Sequence, residues 1–93
     1  MSVSYQEEEL VELLEDQNTE EGKGLVVIND DFNTFDHVIS TLIKVCKHNK
    51  IQAEQCTHLI HFKGKCRVKE GSYDDLKPMK DGMTDAGIKA VIE

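Results

Sequence analysis

The chain has 93 residues, a formal net charge of −7 and only five aromatic side chains. That length allows one domain with a thin core, which aliphatic side chains must mostly build. The acidic balance argues against nucleic acid or an anionic membrane as a partner, because phosphate binding needs a basic surface, and it suits a cationic ligand or a basic docking surface.

No stretch approaches the roughly 20 apolar residues of a transmembrane helix. The first ten residues, MSVSYQEEEL, are acidic and lack an apolar core region, so no secretory signal is expected. Cys46, Cys56 and Cys66 are an odd number and fit reduced thiols in the cytoplasm. Residues 1–23 read as a flexible acidic extension, with seven Glu and one Asp between Glu7 and Glu21.

The folded part is expected over 24–93. Leu25–Ile28 is a continuous apolar run of strand length. Asn33 or Thr34 can cap a following helix, on which Phe35, Val38, Ile39, Leu42, Ile43 and Cys46 fall at helical spacing. Lys47-His48-Asn49 supplies a cationic end with Asn49 as a C-cap. A second helix is predicted over 52–62, with Ala53, Cys56, Leu59 and Ile60 facing inward and Gly64 ending it. Residues 66–70 alternate as a half-buried strand does. Ser72 and Asp75 resemble a capping box before Leu76, Met79 and Met83. Pro78 predicts that this third helix is short, distorted or late in starting, and Gly87 closes it. Residues 88–92 read as a final strand. The order β-α-α-β-α-β predicts a small single α+β domain.

Three kinds of chemistry come into question, two of them at the acceptor-rich segment Asn29-Asp30-Asp31 and one at the Cys/His pairs. A carboxylate dyad needs both groups on one face, whereas adjacent residues of an extended segment point to opposite faces. No nucleophile elbow and no Gly-rich phosphate loop is present, so the sequence does not read as an enzyme. The pairs Cys46/His48 and Cys56/His58 raise metal binding, but the thiols fall on expected core faces and the imidazoles are expected at the surface, so neither a metal nor a cofactor is assigned. Capture of an ammonium is the third. Its three donors want three acceptors, and Asn29, Asp31 and neutral His61 offer a carbonyl, a carboxylate and a ring nitrogen. The plain alternative for Asn29-Asp30-Asp31 is a strand-to-helix turn.

The stretch NDDFNTFD (Asn29–Asp36) resembles the NDD-aromatic segment of the Clp protease adaptor family ClpS. Glu54-Gln55-Cys56, continuing through Ile60-His61-Phe62-Lys63-Gly64-Lys65, is similar to that family's second-helix signature. The resemblance covers roughly residues 24–93. It implies helices packed on a three-stranded antiparallel sheet, an architecture that ribosomal stalk C-terminal domains resemble. It also implies a non-enzymatic, monomeric adaptor that binds proteins with a large hydrophobic first residue (an N-degron) and delivers them to a ClpA- or ClpC-type AAA+ unfoldase and its protease. By motif, Asn29, Asp31 and His61 would hold the substrate α-amino group, with Asp30 in support. Phe35, Val38, Thr57 and Ile60 would line the pocket for its first side chain. The extension over 1–23 would be engaged by the unfoldase, which would dock around Lys63, Lys65 and Asp74. The rival reading is a generic protein-interaction module of the same fold without amine recognition.

Overall fold

The computed structural model describes residues 22–93, so the acidic extension expected over 1–23 lies outside the described residues except for Gly22 and Lys23. The apolar run lies in a strand β1 (Lys23–Ile28), followed by helices α1 (Phe35–Cys46) and α2 (Lys50–Lys63), strand β2 (Lys65–Gly71), helix α3 (Tyr73–Asp85) and strand β3 (Ala90–Ile92). The element order is the expected one. The sheet order is β2-β1-β3 with both pairings antiparallel, so the apolar strand is central, as its continuous hydrophobicity demands.

The core lies between one face of this sheet and the helices. Leu25, Val27, Val68 and Ala90 meet Val38, Leu42, Cys46, Ala53, Ile60, Leu76, Met83 and Ile88 there. On the opposite face, Val26 is buried outside that cluster. Arg67, paired with Val26, lies across that face, where its guanidinium meets Glu70 at 3.2 Å and the Gly22 carbonyl at 3.1 Å. A Cβ at Gly24 would meet that guanidinium, the far end of a flexible side chain, which would have to move aside.

Local signals set most of the helix ends. Thr34 caps α1 by accepting from the His37 N–H, and Ser72 caps α3 by accepting from the Asp75 N–H. Gly64, at φ 90°, adopts the left-handed turn that sends the chain from α2 into β2. Gly87, at φ 81°, closes α3, and the Ile88 N–H bonds the Met83 carbonyl at 2.9 Å. That bond belongs to the helix cap, so β3 begins at Ala90 rather than at Ile88.

Five expectations need correction. Lys47, not Asn49, takes the left-handed position ending α1, at φ 63°. Asn49 instead caps α2 by accepting from the Gln52 N–H, so α2 starts at Lys50. Leu59 and Ile43 are substantially exposed, because the buried arcs of their helices centre on Ala53/Thr57/Ile60 and Val38/Leu42/Cys46. Thr57 takes an inward place in α2, its hydroxyl donating to the Ala53 carbonyl at 2.7 Å. His48 is not a surface imidazole. It is only 3% exposed, and its Nε2 donates to the Val68 carbonyl at 2.8 Å. Val68 is the extra residue of a β-bulge, since Leu25 pairs with Lys69 while Val26 pairs with Arg67.

The fifth correction is Pro78, which sits inside α3 without shortening it, the helix running 13 residues. Its missing N–H would have bonded the Asp74 carbonyl near the exposed start of the helix, where water can serve that acceptor. An interior proline still costs about 3 kcal/mol relative to Ala. Its stiffening of the unfolded chain returns only about 0.4–1 kcal/mol. The first effect wins, so Pro78→Ala should stabilise the domain by roughly 2 kcal/mol, read as a higher urea midpoint at unchanged slope.

Candidate functional site at the end of the central strand

β1 delivers Asn29 to the end of the sheet, and the Asn29 N–H donates to the Gly64 carbonyl at 2.8 Å. This bond ties the Asn29-Asp30-Asp31 segment to the C-terminal end of α2, where His61 occupies the last turn. Asn29, Asp31 and His61 are all exposed.

Asp30 is the organiser of the turn. Its carboxylate accepts from the Phe32 N–H at 2.9 Å, the Asn33 N–H at 3.0 Å and the Asn33 side-chain amide at 2.8 Å. Asn33 also donates to the Gly87 carbonyl at 2.9 Å, and His37 Nε2 donates to the Ala86 carbonyl at 2.8 Å, so the turn is fastened to the end of α3. Asn33 was read from sequence only as a candidate helix cap, and His37 was not singled out. The Asp-x-x-Asn spacing is the local signal for the first, whereas the contacts to α3 have none.

The Asn33 and Phe32 backbone donors hold the Asp30 carboxyl below its ordinary value. A depressed folded value contributes stability that is fully present above the unfolded value of about 3.9. That stability is lost as pH falls through the lower folded value. Asp30→Asn keeps one acceptor for the backbone donors and removes the charge. Unfolding free energies measured between pH 5 and pH 2 should therefore fall less steeply in Asp30→Asn than in the parent.

A small cavity of about 20 Å³ lies between the strand end and the helices, lined by Val27, Ile28, Asn29, Asp30, Asn33, Val38 and Ile60. Val38 and Ile60 thus share this lining with Asn29 and Asp30. Thr57 and Phe35 do not line this space. Thr57 is buried one turn before Ile60 on α2. Phe35, the first residue of α1 and 36% exposed, stands edge-on to His61 at 5.0 Å and to His58 at 5.4 Å. Phe62 stacks on His58 at 5.8 Å and meets His61 edge-on at 5.1 Å. These four rings form a shelf beside the cavity, in which His58 and Phe62 are additions that sequence reading did not make.

The three residues assigned to unfoldase docking separate. Lys63 and Lys65 flank Gly64 at one end of β2, and Asp74 lies in the first turn of α3 beyond the other end. The length of β2 puts roughly 20 Å between these ends. Among the described residues no group of three His, Cys, Asp or Glu side chains could hold a metal ion, and no helix is long and apolar enough to cross a membrane.

The family model described as "ATP-dependent Clp protease adaptor protein ClpS" matches residues 18–90. The chain belongs to the ClpS family. An ATP-dependent Clp protease adapter protein ClpS of Thermosynechococcus vestitus is 31% identical over 65 residues, which span 69% of each chain. The fold is shared with the solved structure of Agrobacterium tumefaciens ClpS2 bound to L-phenylalaninamide, at a TM-score of 0.68 and 18% identity, covering 81% of this chain and 98% of that one. The ClpS family is described as one of adaptor proteins for the Clp protease, in keeping with the non-enzymatic reading of the residues. Both segments that carried the resemblance, Asn29–Asp36 and Glu54–Lys65, fall inside the matched range.

Proposed function

We propose that this ClpS-family chain captures the free α-amino group and large hydrophobic first side chain of a protein substrate and delivers that substrate to a Clp AAA+ unfoldase. The Asn29–Gly64 hydrogen bond is the observation that carries this reading, because it sets the Asn29-Asp30-Asp31 turn against the helix end bearing His61. On this account Asn29, Asp31 and His61 supply the three acceptors an ammonium needs. Asp30 shapes the turn on which two of them stand. The bound amino-acid amide of the Agrobacterium ClpS2 structure supports a site of this kind.

The cavity lined by Val38 and Ile60 is close to the space of a single water, so a Leu or Phe side chain enters only as the lining opens. Phe35 is the proposed moving part. It lies one helical turn before Val38, is partly exposed, and rests on imidazole edges and not in the core. Thr57 is proposed as the floor reached once the pocket opens. Lys63 and Lys65 are proposed to contact the unfoldase at the α2–β2 turn, with Asp74 meeting a separate part of the same partner.

Delivery is tested with a Clp unfoldase and its protease degrading a reporter that begins with Leu or with Glu. Addition of the chain should accelerate loss of the Leu reporter alone. Equal acceleration of both, or of neither, would overturn the proposal.

A further inference from the structure

The acidic extension and the outer face of the sheet match one another in charge and in position. All eleven Lys and Arg residues and ten side-chain carboxylates lie in residues 22–93, a formal charge of +1. The other eight carboxylates lie in residues 1–21 with no Lys or Arg, a formal charge of −8. Among Glu9, Glu12, Glu15 and Asp16 stand Leu10, Leu13 and Leu14, which recur at helical spacing. A segment of this pattern is complementary to a surface that is apolar in the middle and cationic at its border.

The helices pack on the sheet face that carries Leu25 and Val27, and among the described residues none packs on the opposite face. There Val26 pairs with Arg67 on one side and Val91 on the other. Ile28 pairs with Lys65, and its N–H donates to the Lys89 carbonyl at 2.9 Å, which sets Lys89 on its other side. Ile28 and Val91 are half-buried, whereas Lys65 and Lys89 are exposed. The ion pairs of the described residues are Arg67–Glu70 and Lys77–Asp81, so Lys65 and Lys89 flank Ile28 without a carboxylate partner among those residues. At the other end of the face Gly24 lies between Glu70, its β2 partner, and Glu93, to which it is joined by two bonds of 2.8 Å.

We propose that the segment from Glu9 to Asp16 docks on this outer face of its own domain, with its leucines over Ile28 and Val91 and its carboxylates at Lys65 and Lys89. The described chain begins at the edge of that face, since the Gly22 carbonyl accepts from the Arg67 guanidinium at 3.1 Å. Six extended residues cover about 20 Å, which is the distance along the strand from Gly22 to Ile28. Asp16 and the carboxylates before it therefore reach Lys65 and Lys89 when the chain folds back from Gly22. Glu70 and Glu93 repel the segment at the near end and so favour the far one. Covalent attachment keeps the segment at a high local concentration, so a shallow contact suffices. Docking covers Lys65, which on the adaptor reading above meets the unfoldase, so on that reading segment and partner compete for it.

The full chain is treated at low salt and high dilution with a water-soluble carbodiimide, which joins a carboxylate to a neighbouring amine as an amide, and the monomer is digested and sequenced by mass spectrometry. Links from Glu12, Glu15 or Asp16 should fall on Lys65 and Lys89 and be rare on Lys44, Lys77 and Lys80, which lie on α1 and α3. They should drop severalfold at high salt, which screens exposed charges. They should also drop severalfold in a variant carrying Leu10→Ser, Leu13→Ser and Leu14→Ser, which keeps every charge. Absence of links to Lys65 and Lys89, an even spread over all lysines, links found only between molecules, or links unchanged in the serine variant would each overturn the proposal. Neither peptide nor unfoldase takes part, so its failure is distinguishable from failure of the adaptor reading.

Discussion

His61→Ala should weaken binding of a peptide beginning with Leu by about 1–3 kcal/mol, roughly 5- to 150-fold in Kd. A buried ammonium donor without its acceptor retains its desolvation cost, which is larger than the net gain of an ordinary hydrogen bond. Asp31→Ala should do the same, with the added loss of a charged partner. The fold should persist in both variants, since both side chains are exposed and neither belongs to the core. Isothermal titration together with thermal melting separates the two effects. Normal affinity in either variant would remove that residue from the socket, and a lost melting transition would assign it a structural role instead.

His48→Ala should lower folding stability by about 2–4 kcal/mol. The imidazole is buried, and it satisfies the carbonyl of Val68, which the bulge leaves without a ladder partner on β1. Truncation both empties the ring's place and orphans that acceptor. His48→Phe fills the volume but cannot donate, so its loss should be smaller, about 1–3 kcal/mol. Denaturant unfolding of the two variants divides packing from hydrogen bonding. A cost for Ala below 1 kcal/mol would mean that the bulge is held by its other contacts. His48 Nδ1 has no hydrogen-bond partner among the described residues, so the single bond at Nε2 carries the polar side of this account.

The features legible in the sequence were those written locally. The central strand follows from Leu25–Ile28, the helix starts from Thr34 and Ser72, and the reversals from Gly64 and Gly87, because each depends on a few neighbouring residues. The misread positions depend on residues far along the chain. His48 is buried because a bulge twenty residues later presents a free carbonyl. Leu59 faces solvent because the inward arc of α2 is set by its contacts with α1 and β2, and an apolar threonine placement is invisible to a hydrophobic count. At the site, the strand end and the helix end were both legible as motifs. The Asn33 and His37 bonds to the end of α3, and the His58–Phe62 stack, arise only once the elements are assembled.

The aromatic shelf bears on specificity. Phe32 and Phe62 are among the most exposed apolar side chains of the described residues, and Phe62 rests on an imidazole instead of on the core. Such rings suit contact with a partner surface, and a general interaction module would use them without regard to a free amine. Amine dependence is therefore what distinguishes the adaptor from that alternative.

The most direct measurement is fluorescence anisotropy with short peptides that differ only in their first residue, Leu, Phe, Tyr, Trp, Ile, Met and Glu, beside a Leu peptide whose amino group is acetylated. Acetylation removes the charge and donors that Asn29, Asp31 and His61 are proposed to hold, so it should nearly abolish binding. The account predicts binding confined to large hydrophobic first residues and lost on acetylation. Equal binding of the acetylated peptide, or binding of none, would contradict it and leave the Asn29-Asp30-Asp31 segment as a strand-to-helix turn.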